Sequence, residues 1–262
     1  MQLNPCKTRA PGYARIFIRC AFAFFLFPAA AAFSGERTPQ WMLPFRDAVY
    51  EQVLTADEIQ LLYREVIAAA QRDLSGVSMY RELSRAAFFM GRAFEHEGRR
   101  QDARTHYEEG LRFAERAVAA SPCADSWTLR AENLAFLIPT RSWAFAVTNG
   151  LDVERFAAAA LALDPAMAAA QFVIAGRWIF APRGFGNIPR GLREIEAILA
   201  NDRMGRDDRF NAYSVKGWAL VQQRRYADAI PWLYKALGVF PTNRGARDLL
   251  AAAEAGAAGR RR

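Results

Sequence analysis

The chain has 262 residues, 52% of them hydrophobic, enough to bury a sizeable core and too apolar for a mainly disordered polymer. Its formal charge of +8 sits at the ends. Residues 1–32 carry Lys7, Arg9, Arg15 and Arg19 without an acid, leaving 31 basic against 27 acidic residues, and three of those basic residues are Arg260, Arg261 and Arg262. So nearly balanced a body argues against a nucleic-acid partner.

In chain order, residues 1–32 read as a secretory signal peptide. A basic region ends at Arg19, an apolar stretch runs over Ala21–Phe27, and Ala30 and Ala32 suit cleavage before Phe33. The apolar stretch is shorter than the roughly 20 residues of a membrane span, so no stable span is expected after cleavage. Retention as an anchor is the alternative. The expected location is the periplasm or cell envelope. Cleavage would remove Cys6 and Cys20 and leave Cys123 alone, with no intramolecular disulfide.

Residues 33–54 read as an extended lead-in broken by Pro39 and Pro44, with Trp41, Met42, Leu43 and Phe45 packing on the domain. Thr55 and Glu58 form a capping-box pattern that opens a helix over about Ala56–Leu74, apolar at Ile59, Leu62, Val66, Ile67 and Ala70.

Beyond this helix the chain repeats. In the last unit, Tyr213–Pro241, the small residues Gly217, Ala229 and Ala236 stand where paired helices approach. Tyr226 and Leu233 fill the space between them, and Pro241 ends the second helix. This order resembles the tetratricopeptide repeat (TPR), a helix pair with a period of roughly 34 residues. Weaker copies place Gly91, Phe94, Gly98, Ala103, Tyr107 and Gly110 in a first unit. A second has Trp127, Ala131, Leu134 and Ala160–Pro165, and a third Phe172, Gly176, Ile179, Gly191, Ile195 and Ile198. The departures are a long second helix running to Ala120, an insertion at Ile138–Asn149 and a long loop at Ala181–Asn187. A helix over Arg244–Ala255 would cap the array, stopping at Gly256 before a disordered basic tail, 256–262. The expected fold is all-α: about four degenerate helix-pair repeats over 55–255, with an extra N-terminal helix and a C-terminal capping helix, in a compact, bent array.

The resemblance implies a concave face lined by the first helix of each pair. Its columns are Arg92, Glu132, Arg177 and Trp218, then His96, Phe136, Ala181 and Gln222, with Glu95 and Tyr213 nearby. Arginine forks and an aromatic face suit an extended peptide or an anionic group. Alternatively, Arg92, Glu132 and Arg177 neutralise one another as an ion ladder. Arg141 and Arg183, in segments longer than the repeat, are further candidates.

The two histidines, His96 and His106, have no metal-ligand spacing, and no paired cysteines exist, so neither a metal nor a cofactor is expected. Gly184-Phe185-Gly186 reads as a turn, and Asp207-Asp208 as acids at a helix N-terminus. No catalytic residues and no enzyme activity are expected. The leading expectation is an exported interaction module or adaptor that binds a protein or peptide in its groove. The alternative is a small-molecule carrier or transporter accessory, since the architecture loosely resembles exported TPR proteins associated with TRAP transporters.

Overall fold

A computed structural model describes residues 35–181 and 184–259; the expected signal peptide and Arg183 lie outside them. Among the described residues there is no strand. A short 3-10 turn, Gln40–Met42, leads into α1 (Leu43–Glu51) and α2 (Ala56–Asp73). Antiparallel pairs follow: α3 (Gly76–His96) with α4 (Arg100–Ala120), α5 (Ala124–Leu137) with α6 (Trp143–Leu163), and α7 (Ala168–Phe180) with α8 (Ile188–Leu199). The last pair is α9 (Arg206–Gln222) with α10 (Tyr226–Val239), closed by α11 (Arg244–Gly259). The expected all-α helix-pair repeat fold is present.

The repeat is visible in atomic detail. Gly91 and Gly217 lie 126 positions apart (217 − 91), as do Tyr107 and Leu233. A Cβ on Gly91 would come within 2.4 Å of the Tyr107 ring, and one on Gly217 within 2.5 Å of Leu233. Each pair of helices can approach only because the residue on the first is glycine. The turns match as well. Gly98 (φ 73°) and Arg224 (φ 58°) hold the same left-handed position. The amide of the next residue reaches back to Phe94 O in one turn and Leu220 O in the other, both at 2.9 Å. Arg99 and Arg225 then pair with Asp102 and Asp228, each at 2.8 Å.

The capping box of α2 forms as expected: Glu58 N donates to Thr55 Oγ1 at 3.3 Å and Thr55 N to Glu58 Oε2 at 2.8 Å. Three boundaries differ from the sequence reading. The lead-in is not extended throughout, because Pro44 lies in the first turn of α1, where its missing N–H costs nothing. The insertion at Ile138–Asn149 is a 3-10 turn, Ile138–Thr140, and the first turns of α6, N-capped by Ser142. Finally, α11 runs through Gly256 to Gly259. A Cβ at 256 would meet the Tyr226 ring at 2.7 Å, so this glycine serves close packing rather than helix termination.

Helix α1 ties the two ends of the array together. Phe45, Val49 and Tyr50 are 1–2% exposed. Tyr50 meets Phe89 of α3 and Phe210 of α9, and stacks on Phe240 at 5.0 Å. Asn211 Nδ2 donates to its hydroxyl at 3.1 Å, and Asn243 Nδ2 to its carbonyl at 2.6 Å. The side-chain oxygen of Gln52 accepts from the first amides of α11, Arg244 N and Gly245 N. Burying side chains such as Met42, Phe45 and Val49 contributes about 1.5–3 kcal/mol each, so α1 is an integral part of the core.

Candidate functional site

The face lined by α3, α5 and α9 is where the sequence places a groove, and the chain's own segment from Glu36 to Tyr50 occupies it. Gly35 enters against the α8–α9 connection: a Cβ there would overlap Arg203 O. Glu36 then meets the start of α9. One of its oxygens accepts from Thr38 N at 3.0 Å, and the other pairs with Arg46.

Arg37 points inward between α5 and α9. Its guanidinium lies 3.0 Å from Glu132, 3.4 Å from Asp125 and 4.0 Å from Asp208. Behind it, Arg85 donates to Asp125 at 2.6 Å and to Glu82 at 3.1 Å, and Arg81 lies 3.3 Å from Asp125. Arg46, 2% exposed, reaches Asp47 at 2.7 Å and Asp207 at 3.5 Å. The result is a buried polar layer of arginines and carboxylates around the lead-in.

The electrostatics follow from that crowding. Burial opposes the charge on Arg37, but Glu132, Asp208, Asp125 and Asp207 outweigh it and raise its pKa well above the usual value. Burial also disfavours the charge of Asp125, yet Arg85, Arg37 and Arg81 hold it at about 2. Burial pushes Glu132 and Glu82 upward, with Arg37 and Arg85 respectively as the main opposing charges. Asp208 is pushed up to about 7, first by burial and then by Asp207, against the pull of Arg37. Carboxylates outnumber the guanidiniums here, which favours the protonated form of Asp208.

The expected groove residues separate into groups. Glu132 belongs to the buried layer and holds Arg37. Arg92 sits over the Phe136 ring at 4.5 Å and pairs with Glu95 at 3.2 Å, while the Tyr107 hydroxyl donates to Glu95 at 3.0 Å. His96 lies 3.3 Å from Arg92, and burial followed by that charge pushes it down to about 3. It also lines a cavity of about 280 Å³ where α1, α2 and α3 meet α11, together with Val49, Leu54, Ile59 and Arg244.

Arg177 pairs with Glu154 of α6, and Trp218 packs on Phe180 at 5.1 Å between ring centres. Tyr213 packs on Trp232 at 5.9 Å, and Gln222 is exposed at the end of α9. Arg141 pairs with Glu108 and lies over Phe145. The ion ladder is therefore replaced: Arg92, Glu132 and Arg177 each have a different partner. The part of the inner face beyond the lead-in is the α7–α9 end, with Arg177, Phe180, Trp218 and Gln222.

Sequence reasoning missed Arg37, Arg46, Arg85, Asp125, Asp207 and Asp208 as one cluster. The available signal was Arg81-Glu82 with Arg85, charges at helical spacing on the same side as the apolar Phe88 and Phe89. His106 is stacked on Phe94 and edge-on to Tyr63, and Cys123 lies 3.1 Å from Ser126 Oγ at the start of α5. Among the described residues no group of three or more His, Cys, Asp or Glu is placed to hold a metal ion, and no helix is long and apolar enough to cross a membrane. The chain matches no family model and no curated protein.

Proposed function

We propose that this chain is an exported TPR-type interaction module that holds a protein or peptide segment on its inner face. One observation carries the reading: that face already holds a peptide-like segment, residues 36–50, by an inserted arginine and a row of apolar side chains. The matched Gly91–Tyr107 and Gly217–Leu233 contacts support the TPR assignment. The signal-like residues 1–32 support delivery to the periplasm.

An external segment would bind at the α7–α9 end, where Arg177 supplies a guanidinium and Trp218 and Phe180 an aromatic platform. A photo-crosslinking residue placed at Gln222 or Phe180 in the native host tests this. A discrete adduct from those positions, absent from the outer-face position Tyr234, is expected. Equal labelling of both faces, or none, overturns the reading. The carrier alternative draws its support from the cavity beside His96. Its lining includes neither Arg141 nor Arg177, so the anion-binding arginines expected for a carrier are not among the residues around it.

A further inference from the structure

The half-open cavity of about 280 Å³ beside His96 has an aliphatic floor. Val49, Ile59 and Ala93 are 1–3% exposed there, and Leu54 and Val53 continue the wall toward solvent. Among the described residues no phenylalanine, tyrosine or tryptophan lines it. An apolar cavity of ~150 Å³ already takes a benzene-sized body. The space here therefore holds a branched aliphatic chain together with charged groups at its head. It falls just short of the ~300–1,000 Å³ of sites for drug-sized molecules.

The polar groups at the rim divide into two kinds. Gln52, Thr55 and Glu97 are engaged within the chain. Gln52 accepts from Arg244 N and Gly245 N, Thr55 shares its capping box with Glu58, and Glu97 accepts from Ala56 N at 2.7 Å. Arg244 and Asp248 differ. Both are exposed and line the cavity, and among the described residues neither side chain makes a hydrogen bond or an ion pair. They stand four residues apart on α11, so they share a face one turn apart. The cation precedes the acid, which is the weaker order for pairing with each other. A free guanidinium and a free carboxylate thus stand side by side over an aliphatic floor. On the inner wall, His96 Nε2 accepts from Arg92 at 3.3 Å, which leaves the ring proton on Nδ1. That nitrogen is buried, and its contact with the backbone of Val49 falls short of a well-formed hydrogen bond.

A ligand of single charge fits this rim poorly. A simple carboxylate would suit Arg244 and meet the like charge of Asp248, and a simple amine would do the reverse. A zwitterion satisfies both. We propose that the cavity binds a free branched-chain aliphatic amino acid, with Arg244 on its carboxylate, Asp248 on its ammonium and its side chain against Val49, Leu54 and Ile59. The arginine fork takes both carboxylate oxygens, and the floor excludes water from the aliphatic chain. The site is separate from the α7–α9 end of the inner face, so it does not depend on the partner reading. For a ligand of roughly nine non-hydrogen atoms, ordinary binding efficiency gives a Kd of about 10 μM–1 mM.

Isothermal titration calorimetry on the full chain tests the proposal with four probes. These are L-leucine, 4-methylpentanoate without the ammonium, 3-methylbutylamine without the carboxylate, and glycine without the aliphatic chain. Saturable binding of leucine in that range is expected, with the other three at least about tenfold weaker. Arg244→Gln and Asp248→Asn should each weaken leucine binding by about tenfold or more. The Tm of either variant without ligand should match the wild type, because both side chains are exposed. No saturation by leucine up to about 10 mM overturns the proposal. So does 4-methylpentanoate or 3-methylbutylamine binding as tightly as leucine, since one charge would then suffice. Leucine affinity left unchanged by both variants places the ligand elsewhere and overturns it too.

Discussion

Replacing Arg37 with alanine tests how the lead-in is held. The guanidinium is 14% exposed and faces three carboxylates at 3.0, 3.4 and 4.0 Å. A unit-charge pair at 4 Å is worth about 4 kcal/mol in gross terms at the effective dielectric of a protein surface, most of it offset by the cost of removing the charges from water. The truncation costs more than that net balance, because it leaves Glu132 buried without its ion-pair partner and removes one of the three arginines around Asp125. The expected loss is about 3–5 kcal/mol, a large part of a typical total of ~5–15 kcal/mol. At roughly 2–4 °C per kcal/mol for a chain of this size, Tm falls by about 10 °C. Urea unfolding of the wild type, Arg37→Met, Glu132→Gln and the double variant closes a cycle. A coupling above ~1 kcal/mol, with the double variant less damaged than the sum of the singles, is expected for charges in contact. A loss below ~0.5 kcal/mol for Arg37→Ala with zero coupling would mean that the arginine is in solvent, as a surface substitution behaves, and would refute the reasoning.

Three further outcomes follow from the same structure. Burial and then the neighbouring Asp207 push Asp208 up to about 7 from its ordinary 3.8, so the folded chain binds the extra proton. Its contribution to stability is complete below about pH 4 and is lost as pH rises through 7, at up to ~1.4 kcal/mol per pH unit. His96, held down at about 3, acts in the opposite sense and favours folding above its ordinary pKa near 6.5. The difference between wild type and Asp208→Asn across pH 4–8 isolates the aspartate, and a flat difference would remove it from the buried layer. At the turn before α10, Arg224→Gly should stabilise by roughly 0.5–1 kcal/mol, since only glycine adopts the left-handed conformation freely; a loss in thermal melts would contradict the turn geometry. Gly217→Val should destabilise by about 1–3 kcal/mol through overpacking on Leu233, measurable by urea titration, whereas a neutral result would mean that α9 and α10 are not in close contact.

The repeat was legible because its two regular helix pairs touch at a glycine in the same place in the unit, Gly91 on Tyr107 and Gly217 on Leu233. The Tyr213–Pro241 unit carried its full set of small residues, and the Thr55/Glu58 cap announced α2. What the sequence obscured was the occupancy of the groove. Glu36, Arg37 and Arg46 have no periodic signature, and their partners lie about 90 to 170 positions away on α5 and α9. Local spacing cannot register such pairs. Pro44 misled for a related reason: proline breaks a helix interior but suits a first turn, and only the burial of Phe45, Val49 and Tyr50 against distant helices shows which applies. The insertion at Ile138–Asn149 read as a loop because it exceeds the motif, yet from Ser142 to Asn149 its residues are uncharged and helix-compatible, and they lengthen α6 at its N-terminal end. Of the candidate groove residues, the sequence located the helices correctly and could not say which would be covered.

The central claim is that residues 36–50 are seated inside the array as part of its core. Hydrogen–deuterium exchange of the intact chain measures this most directly. The amides of α1 from Ala48 to Glu51 should exchange as slowly as those of the buried stretch of α3 from Ala86 to Phe94, since both open only with the fold as a whole. Exchange of the α1 amides within seconds, while α3 remains protected, would show that the lead-in lies outside the core and would contradict the account.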